Sequence, residues 1–171
     1  MYVQAFSPSG TIHGVRPRWV WVSTNTGGGD WQIQADSFLA WETAQNFTIP
    51  FYQLNSIPNA DDVIYLPSTN GTPPSVDGFQ AVGIVGYVYG TQVCGSVPLL
   101  CASHPTTTDH WYTTSASEQN SLLVVGWTDA GFAGFVLPLT NSRFPSFESG
   151  TKLNLACYRL SLYPVIQYST C

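Results

Sequence analysis

Charge is what this sequence has least of. Asp, Glu, Lys and Arg make up 9% of its 171 residues, against about 25% in an ordinary domain. Lys152 is the only lysine. Five basic residues against ten acidic ones leave a net charge of −5, which offers no basic footprint for nucleic acid. Long apolar runs are absent as well, and no stretch approaches the roughly 18 residues of a membrane span. There is no G-x-S-x-G, no H-E-x-x-H and no C-x-x-C, so the usual hydrolase, zinc-protease and dithiol signatures are missing. His13, His104 and His110 are too scattered to propose a zinc site. Asp61 and Asp62 are adjacent, so on a strand they face opposite ways and serve poorly as an acid/base pair. No catalytic residue, metal or cofactor is expected. The first residues, Met1 to Phe6, show neither the basic nor the apolar region of a secretory signal.

What is present points to β-structure. Hydrophobic residues reach 44% and aromatics 14%, with 15 Gly and 12 Pro. Many rings, few charges and frequent breakers favour short strands and turns over long amphipathic helices. The length suits a single domain, 1–171, that buries roughly 70% of its unfolded surface.

Four cysteines, Cys94, Cys101, Cys157 and Cys171, make an even count. Proximity suggests two bridges, Cys94–Cys101 and Cys157–Cys171, and with them an extracellular setting. The other reading is four buried thiols in a cytoplasmic protein.

Self-similarity is the strongest signal. Residues 49–88 lie over 97–136 at a constant offset of 48. Pro50 meets Pro98 and Asp61 meets Asp109. Gly83-Ile84-Val85-Gly86-Tyr87-Val88 meets Gly131-Phe132-Ala133-Gly134-Phe135-Val136. The repeats span about 49–90 and 97–139, and a partial third copy is expected at 153–171. Gly10–Val15 is a candidate for its missing end, and a fainter start lies at Trp19–Asp36. Each unit reads as strand, loop, strand, variable connection, strand. In the second, the strands are Leu99–Ser103, His110–Thr114 and about Phe132–Leu139. Ser115 and Glu118 have capping-box spacing, which predicts a short helix ahead of Val125. Pro73 and Pro74 forbid one in the earlier unit. A second short helix is expected over Asp36–Gln45 with Asp36 as its N-cap. The fold class is therefore all-β, a pseudo-threefold, β-trefoil-like domain of short antiparallel strands with one or two short helices; an open sandwich is the other architecture.

The string Asp109-His110-Trp111-Tyr112-Thr113-Thr114-Ser115, with Glu118, Gly126-Trp127 and the glycine-rich segment 131–136, resembles a repeat domain of unknown function with a D-H-F-Y-T-T-S core. That repeat occurs in secreted fungal and bacterial proteins, often attached to hydrolases. Three such units closed on themselves would resemble the β-trefoil lectins of mushrooms, by analogy of fold.

The candidate chemistry is a carboxylate beside an indole. An acid accepts paired sugar hydroxyls while the ring covers the apolar C–H face. Asp109, His110, Trp111 and Trp127 form one candidate ligand site, and Asp30 with Trp31 a second. The competing structural reading has Trp111 and Trp127 filling the core and Asp109 capping a turn. Trp19, Trp21, Trp31 and Trp41 form a further aromatic set, with Trp19 and Trp21 expected on one strand face. The expected function is lectin-like recognition of neutral glycans or glycoproteins, and an oligomer is compatible with it. A protease inhibitor, an immunomodulatory binding protein and a structural secreted protein are the alternatives.

Overall fold

A computed structural model describes residues 1–93 and 95–139, leaving the side chain of Asp36 aside. In chain order the elements are β1 (Tyr2–Ser7), β2 (Ile12–Pro17), α1 (Arg18–Thr26), β3 (Gln32–Phe38), β4 (Thr48–Ser56), β5 (Val63–Pro67), β6 (Phe79–Tyr89), β7 (Val97–His104), β8 (Asp109–Thr113), α2 (Ala116–Val124) and β9 (Thr128–Val136). The fold is all-β with two short helices. One sheet has the order β2-β1-β3 and the other β5-β4-β6-β9-β7-β8, and every pairing is antiparallel.

One connectivity recurs three times. A first strand forms a hairpin with the second, and the third strand returns to the other edge of the first. This describes β1-β2-β3, β4-β5-β6 and β7-β8-β9. The spans 49–88 and 97–136 thus share one strand order, as the offset predicts. The hairpin turns also match. Thr11, Ala60 and Thr108 all take left-handed backbone, with φ of 56, 54 and 51°. Each donates its N–H four residues back, to the carbonyl of Ser7, Ser56 or His104.

A complete third unit therefore lies at the N-terminus, over 2–38. The expected partial copy at 153–171 falls outside the described residues. Gly10–Val15 is a turn and a second strand, not the glycine-rich third strand. The ungapped alignment also slips locally. Ser56 reaches Asp62 across its turn, where His104 reaches Asp109 and Ser7 reaches Ile12. Asp61 is the extra residue, and Asp62 is the one that corresponds to Asp109.

Strand interiors are built from alternating apolar residues whose inner set closes one core. Tyr2, Val15, Phe38, Phe51, Tyr65, Val88, Leu99, Tyr112 and Val136 are all buried there. The second strands of the three units, β2, β5 and β8, pack on one another. Two hydroxyls stitch them together. Tyr112 Oη accepts the N–H of Tyr65 at 2.8 Å, and Tyr65 Oη accepts that of Val15 at 3.1 Å. Val15, Tyr65 and Tyr112 occupy the same place in the three hairpins, opposite Gln4, Gln53 and Cys101.

The second glycine of each G-x-x-G segment, Gly86 or Gly134, serves close approach. β4 and β7 each shift register twice against the glycine-bearing strand, the mark of bulges. A Cβ on Gly86 would stand 2.0 Å from Tyr2 Oη, a hydroxyl fixed on the Val85 carbonyl at 2.8 Å. Gly86→Ala is expected to cost about 1–3 kcal/mol through overpacking. A drop in thermal midpoint checks this, and Gly27→Ala is the control, since its backbone is not left-handed and the nearest atom to a Cβ there is 3.4 Å away.

Two helix expectations are corrected. Trp19 and Trp21 lie in α1, not on a strand. Residues two apart face different sides of a helix, so Trp21 enters the core while Trp19 is 60% exposed. Over 36–45 there is no helix: the chain finishes β3 and runs on through isolated bridges, Leu39 to Leu137 and Trp41 to Tyr87. Pairing to other strands wins there over local capping. The helix after Ser115 does form, and Ser115 Oγ accepts the N–H of Glu118.

Cys101 is a buried free thiol, and Cys94, its expected partner, lies outside the described residues. The strand position of Cys101 turns it inward beside Tyr112, and burial pushes the thiol up to about 12. Cys157 and Cys171 also lie outside the described residues, and the expected Cys157–Cys171 pairing with them.

Candidate functional site

The motif residues Asp109 and His110 are held in contacts between units. Asp109, buried at the start of β8, accepts the backbone N–H of His13 at 2.8 Å and of His110 at 3.0 Å. Its other oxygen accepts from His13 Nδ1 at 2.5 Å. His110 Nδ1 in turn contacts the carboxylate of buried Asp62 at 2.8 Å. Thus the acid of the third unit holds the histidine of the first, and the acid of the second holds the histidine of the third. By the same rotation, the remaining pair falls on Ile12 and Val63. Both are buried in the common core. Where the acid is lost the histidine is lost with it, so no half-pair is left buried without its partner.

Trp111 follows on the outward side of this interlock. Its ring meets His13 edge-on, with centroids 4.8 Å apart. Its Nε1–H is buried and has no partner among the described residues. The same holds for both amide atoms of Gln4 on β1, a residue that is 1% exposed. Gln4 and Trp111 line one cavity of about 200 Å³ between the first and third units. Ser37, Thr113, Ser115 and Glu118 line it too.

Glu118 arrives there by departing from its capping role. In a capping box it would reach back to the Ser115 N–H. Here that N–H goes to Thr113 Oγ1 at 3.0 Å, and the Thr113 hydroxyl donates to Glu118. The carboxylate is thereby drawn toward β8 and the cavity.

The corresponding place between the first two units is closed by the protein's own side chains. Gln53 stands where Gln4 does, and Arg16 where Thr113 does. Arg16 Nε donates to Gln53 Oε1 at 2.8 Å, and Gln53 Nε2 donates to Asn55 at 2.7 Å. Asn55 corresponds to Phe6, which cannot accept. Gly14 stands where Trp111 does, and the Trp21 ring covers it at 2.9 Å from a Cβ position. The same fold position is thus satisfied internally in one place and left with three unmatched polar atoms in the other.

The other expected site residues lie elsewhere. Trp127 meets His104 edge-on at 5.2 Å and does not line the cavity. Asp30 is exposed and accepts from Ser7 Oγ at 2.6 Å and the Ser9 N–H at 2.8 Å. The Ser7 hydroxyl, then the Ser9 amide, hold its carboxyl below the ordinary range. Trp31 stacks on Trp21 with centroids 4.1 Å apart, and Trp41 meets Tyr89 edge-on. Trp19 Nε1 donates to Glu42 at the surface. Of the six expected ligand-binding residues, only Trp111 lines the cavity. Gln4, Thr113 and Glu118 line the cavity without standing among the expected ligand-binding residues. Glu118 carries two sequence signals, the capping-box spacing and its place in the string that resembles the repeat domain, and neither points to a cavity.

No group of three or more His, Cys, Asp or Glu gathers to hold a metal among the described residues. No helix among them is long and apolar enough to cross a membrane.

A family model described as a domain of unknown function, DUF5648, matches residues 21–137. The chain belongs to the DUF5648 family. The match spans the last six residues of α1 and the whole of β3 in the first unit, and all the strands of the second and third. β1 and β2, which carry Gln4 and His13, precede the matched residues of this DUF5648 domain. No curated protein and no solved structure matches the chain.

Proposed function

We propose that this DUF5648 domain is a lectin-like module that binds neutral glycans. The observation that carries the reading is the cavity of about 200 Å³ between the first and third units, lined by Trp111 together with Ser37, Thr113, Ser115 and Glu118. Hydroxyls and a carboxylate exchange hydrogen bonds with sugar hydroxyls, and an indole beside them offers apolar surface to C–H groups. The recurring connectivity supports a trefoil-like arrangement of three units, with the ligand at one of the seams. The low charge suits a ligand without charge of its own.

Binding to a glycan array by the full chain, competed by free sugar, tests this. Glu118→Gln keeps the side-chain volume and removes the carboxylate from the cavity lining, and it is expected to weaken glycan binding at least tenfold. Gln4→Met is expected to raise stability by about 1–3 kcal/mol in thermal unfolding, since an unsatisfied buried amide disappears. Unchanged glycan binding by Glu118→Gln, or no binding by the wild type across the array, overturns the proposal.

A further inference from the structure

We infer that Asn70 and Gly71 form a self-modifying site, in which the Gly71 backbone nitrogen closes on the Asn70 side chain and water reopens the ring to aspartate or isoaspartate. Water is the only co-reactant. The pair lies in the irregular stretch 68–78 between β5 and β6, and none of that stretch lines the cavity.

Such a step needs an uncrowded nucleophile and a polarised carbonyl. Asn70 is the only asparagine followed by glycine in the sequence. Asn70, Gly71 and Thr72 are all exposed. Gly71 takes left-handed backbone with φ of 79°, and a Cβ there would meet nothing within 4 Å. Its N–H donates to no group among the described residues, so the attacking nitrogen is free. Asn70 Oδ1 accepts the Thr72 N–H at 3.0 Å and the Thr72 hydroxyl at 2.8 Å. Negative charge develops on that oxygen as the nitrogen attacks, and two preset donors stabilise it in the manner of an oxyanion hole. The reacting atoms close a small ring, so rotation within one residue brings them together.

The chemistry balances without an oxidant or reductant. The Gly71 nitrogen bonds to Asn70 Cγ and gives up its proton. The Cγ–Nδ2 bond breaks, and Nδ2 takes up a proton and leaves as ammonia. Water then adds to one of the two carbonyl carbons of the succinimide and breaks its bond to the ring nitrogen, which regains a proton. Opening at Cγ gives aspartate, and opening at the main-chain carbonyl gives isoaspartate. Either product adds one negative charge. Buried Ser68 holds the entry to the loop, its N–H on the Pro50 carbonyl at 2.8 Å and its hydroxyl on that of Thr72 at 2.6 Å.

The other described asparagines lack this set. Ser56 and Ala60, which follow Asn55 and Asn59, each donate their N–H to a carbonyl at 2.9 Å. Asn25 has both ends of its amide on the Trp31 backbone. Asn120 lies within α2, where the next N–H belongs to the helix ladder. Asn46 precedes Phe47, whose Cβ crowds its own nitrogen.

Peptide mapping of the full chain, aged in mildly alkaline buffer made with heavy-oxygen water, tests the inference. Asn70 is expected to convert at least tenfold faster than any other described asparagine, with one heavy oxygen incorporated and two products separable by chromatography. The rate should rise with pH, since the attacking nitrogen must lose its proton. Thr72→Val keeps the N–H and removes the hydroxyl. It is expected to slow conversion at least threefold in the folded chain and to match the wild type in urea, where the loop geometry is gone. Asn70 remaining intact while other asparagines convert, or converting only in urea, overturns the site. Conversion of folded Thr72→Val at the wild-type rate overturns the part assigned to the hydroxyl.

Discussion

Asp109→Ala is expected to cost about 3–5 kcal/mol, because it leaves His13 and two backbone N–H groups without their buried acceptor. For a chain of this length the thermal midpoint should fall by roughly 10 °C or more. The loss joins two units, so it should appear as a drop of the whole cooperative transition. The protein also supplies the design of its own rescue. At the third seam the acid and the histidine are replaced by Ile12 and Val63, both buried in the common core. The double variant His13→Val with Asp109→Ile copies that solution. It should be more stable than Asp109→Ala, since neither half of the pair is stranded. Full recovery is not expected, because the amides of His13 and His110 still lose their acceptor. Denaturant unfolding of the wild type, both single variants and the double gives the coupling directly. Losses that simply add would show that the two side chains act independently and that the interlock is wrong.

The same contacts explain what could be read from the sequence and what could not. The offset of 48 is visible because β4-β5-β6 and β7-β8-β9 share the G-x-x-G segment of their third strands, whereas β1 and β3 shift register twice without a glycine. The first unit is hidden for a physical reason. Its third strand has no G-x-x-G, its acid is Ile12, and its outward indole position is Gly14, so each recognisable residue has been exchanged for one that fits a neighbour. Only the hairpin turn and the core positions remain, and these are shared by many strands. The helix at 116–124 was legible because its start is a local matter of Ser115 and Glu118. The region 36–45 was not, since strand pairing outweighed the cap suggested by Asp36. For the candidate site, the residues of the Asp-His-Trp string divide. Asp109 and His110 look inward to other units, and Trp111 alone lines the cavity. Gln4 is silent in sequence. A glutamine on a strand becomes informative only when Gln53 is seen satisfied in the corresponding place.

Raising the pH should unfold this domain cooperatively between about pH 10 and pH 12. Burial pushes the hydroxyl of Tyr65 and the thiol of Cys101 each up to about 12. It also raises the hydroxyls of Tyr2 and Tyr112 well above the ordinary tyrosine value of 10.0. The sign follows from which state holds the proton. Above the unfolded values the unfolded chain gives up these protons and the folded chain keeps them, so stability falls as pH rises. The contribution is complete below the unfolded values and is lost on the way to the folded ones. Each group removes roughly 1 kcal/mol per pH unit. Four such groups over two pH units approach the whole stability of an ordinary domain, about 5–15 kcal/mol. The loss is also structural, since the Tyr2 hydroxyl donates to the Val85 carbonyl at 2.8 Å, a bond its anion cannot make. Far-ultraviolet circular dichroism, tyrosinate absorbance and peptide-resolved alkylation should therefore move together. The peptide carrying Cys101 should resist alkylation at pH 9–10 and become reactive only as the dichroism is lost. Alkylation of Cys101 while the spectrum stays native would show that the thiol is reached without unfolding, and the burial argument for all four groups would fail with it.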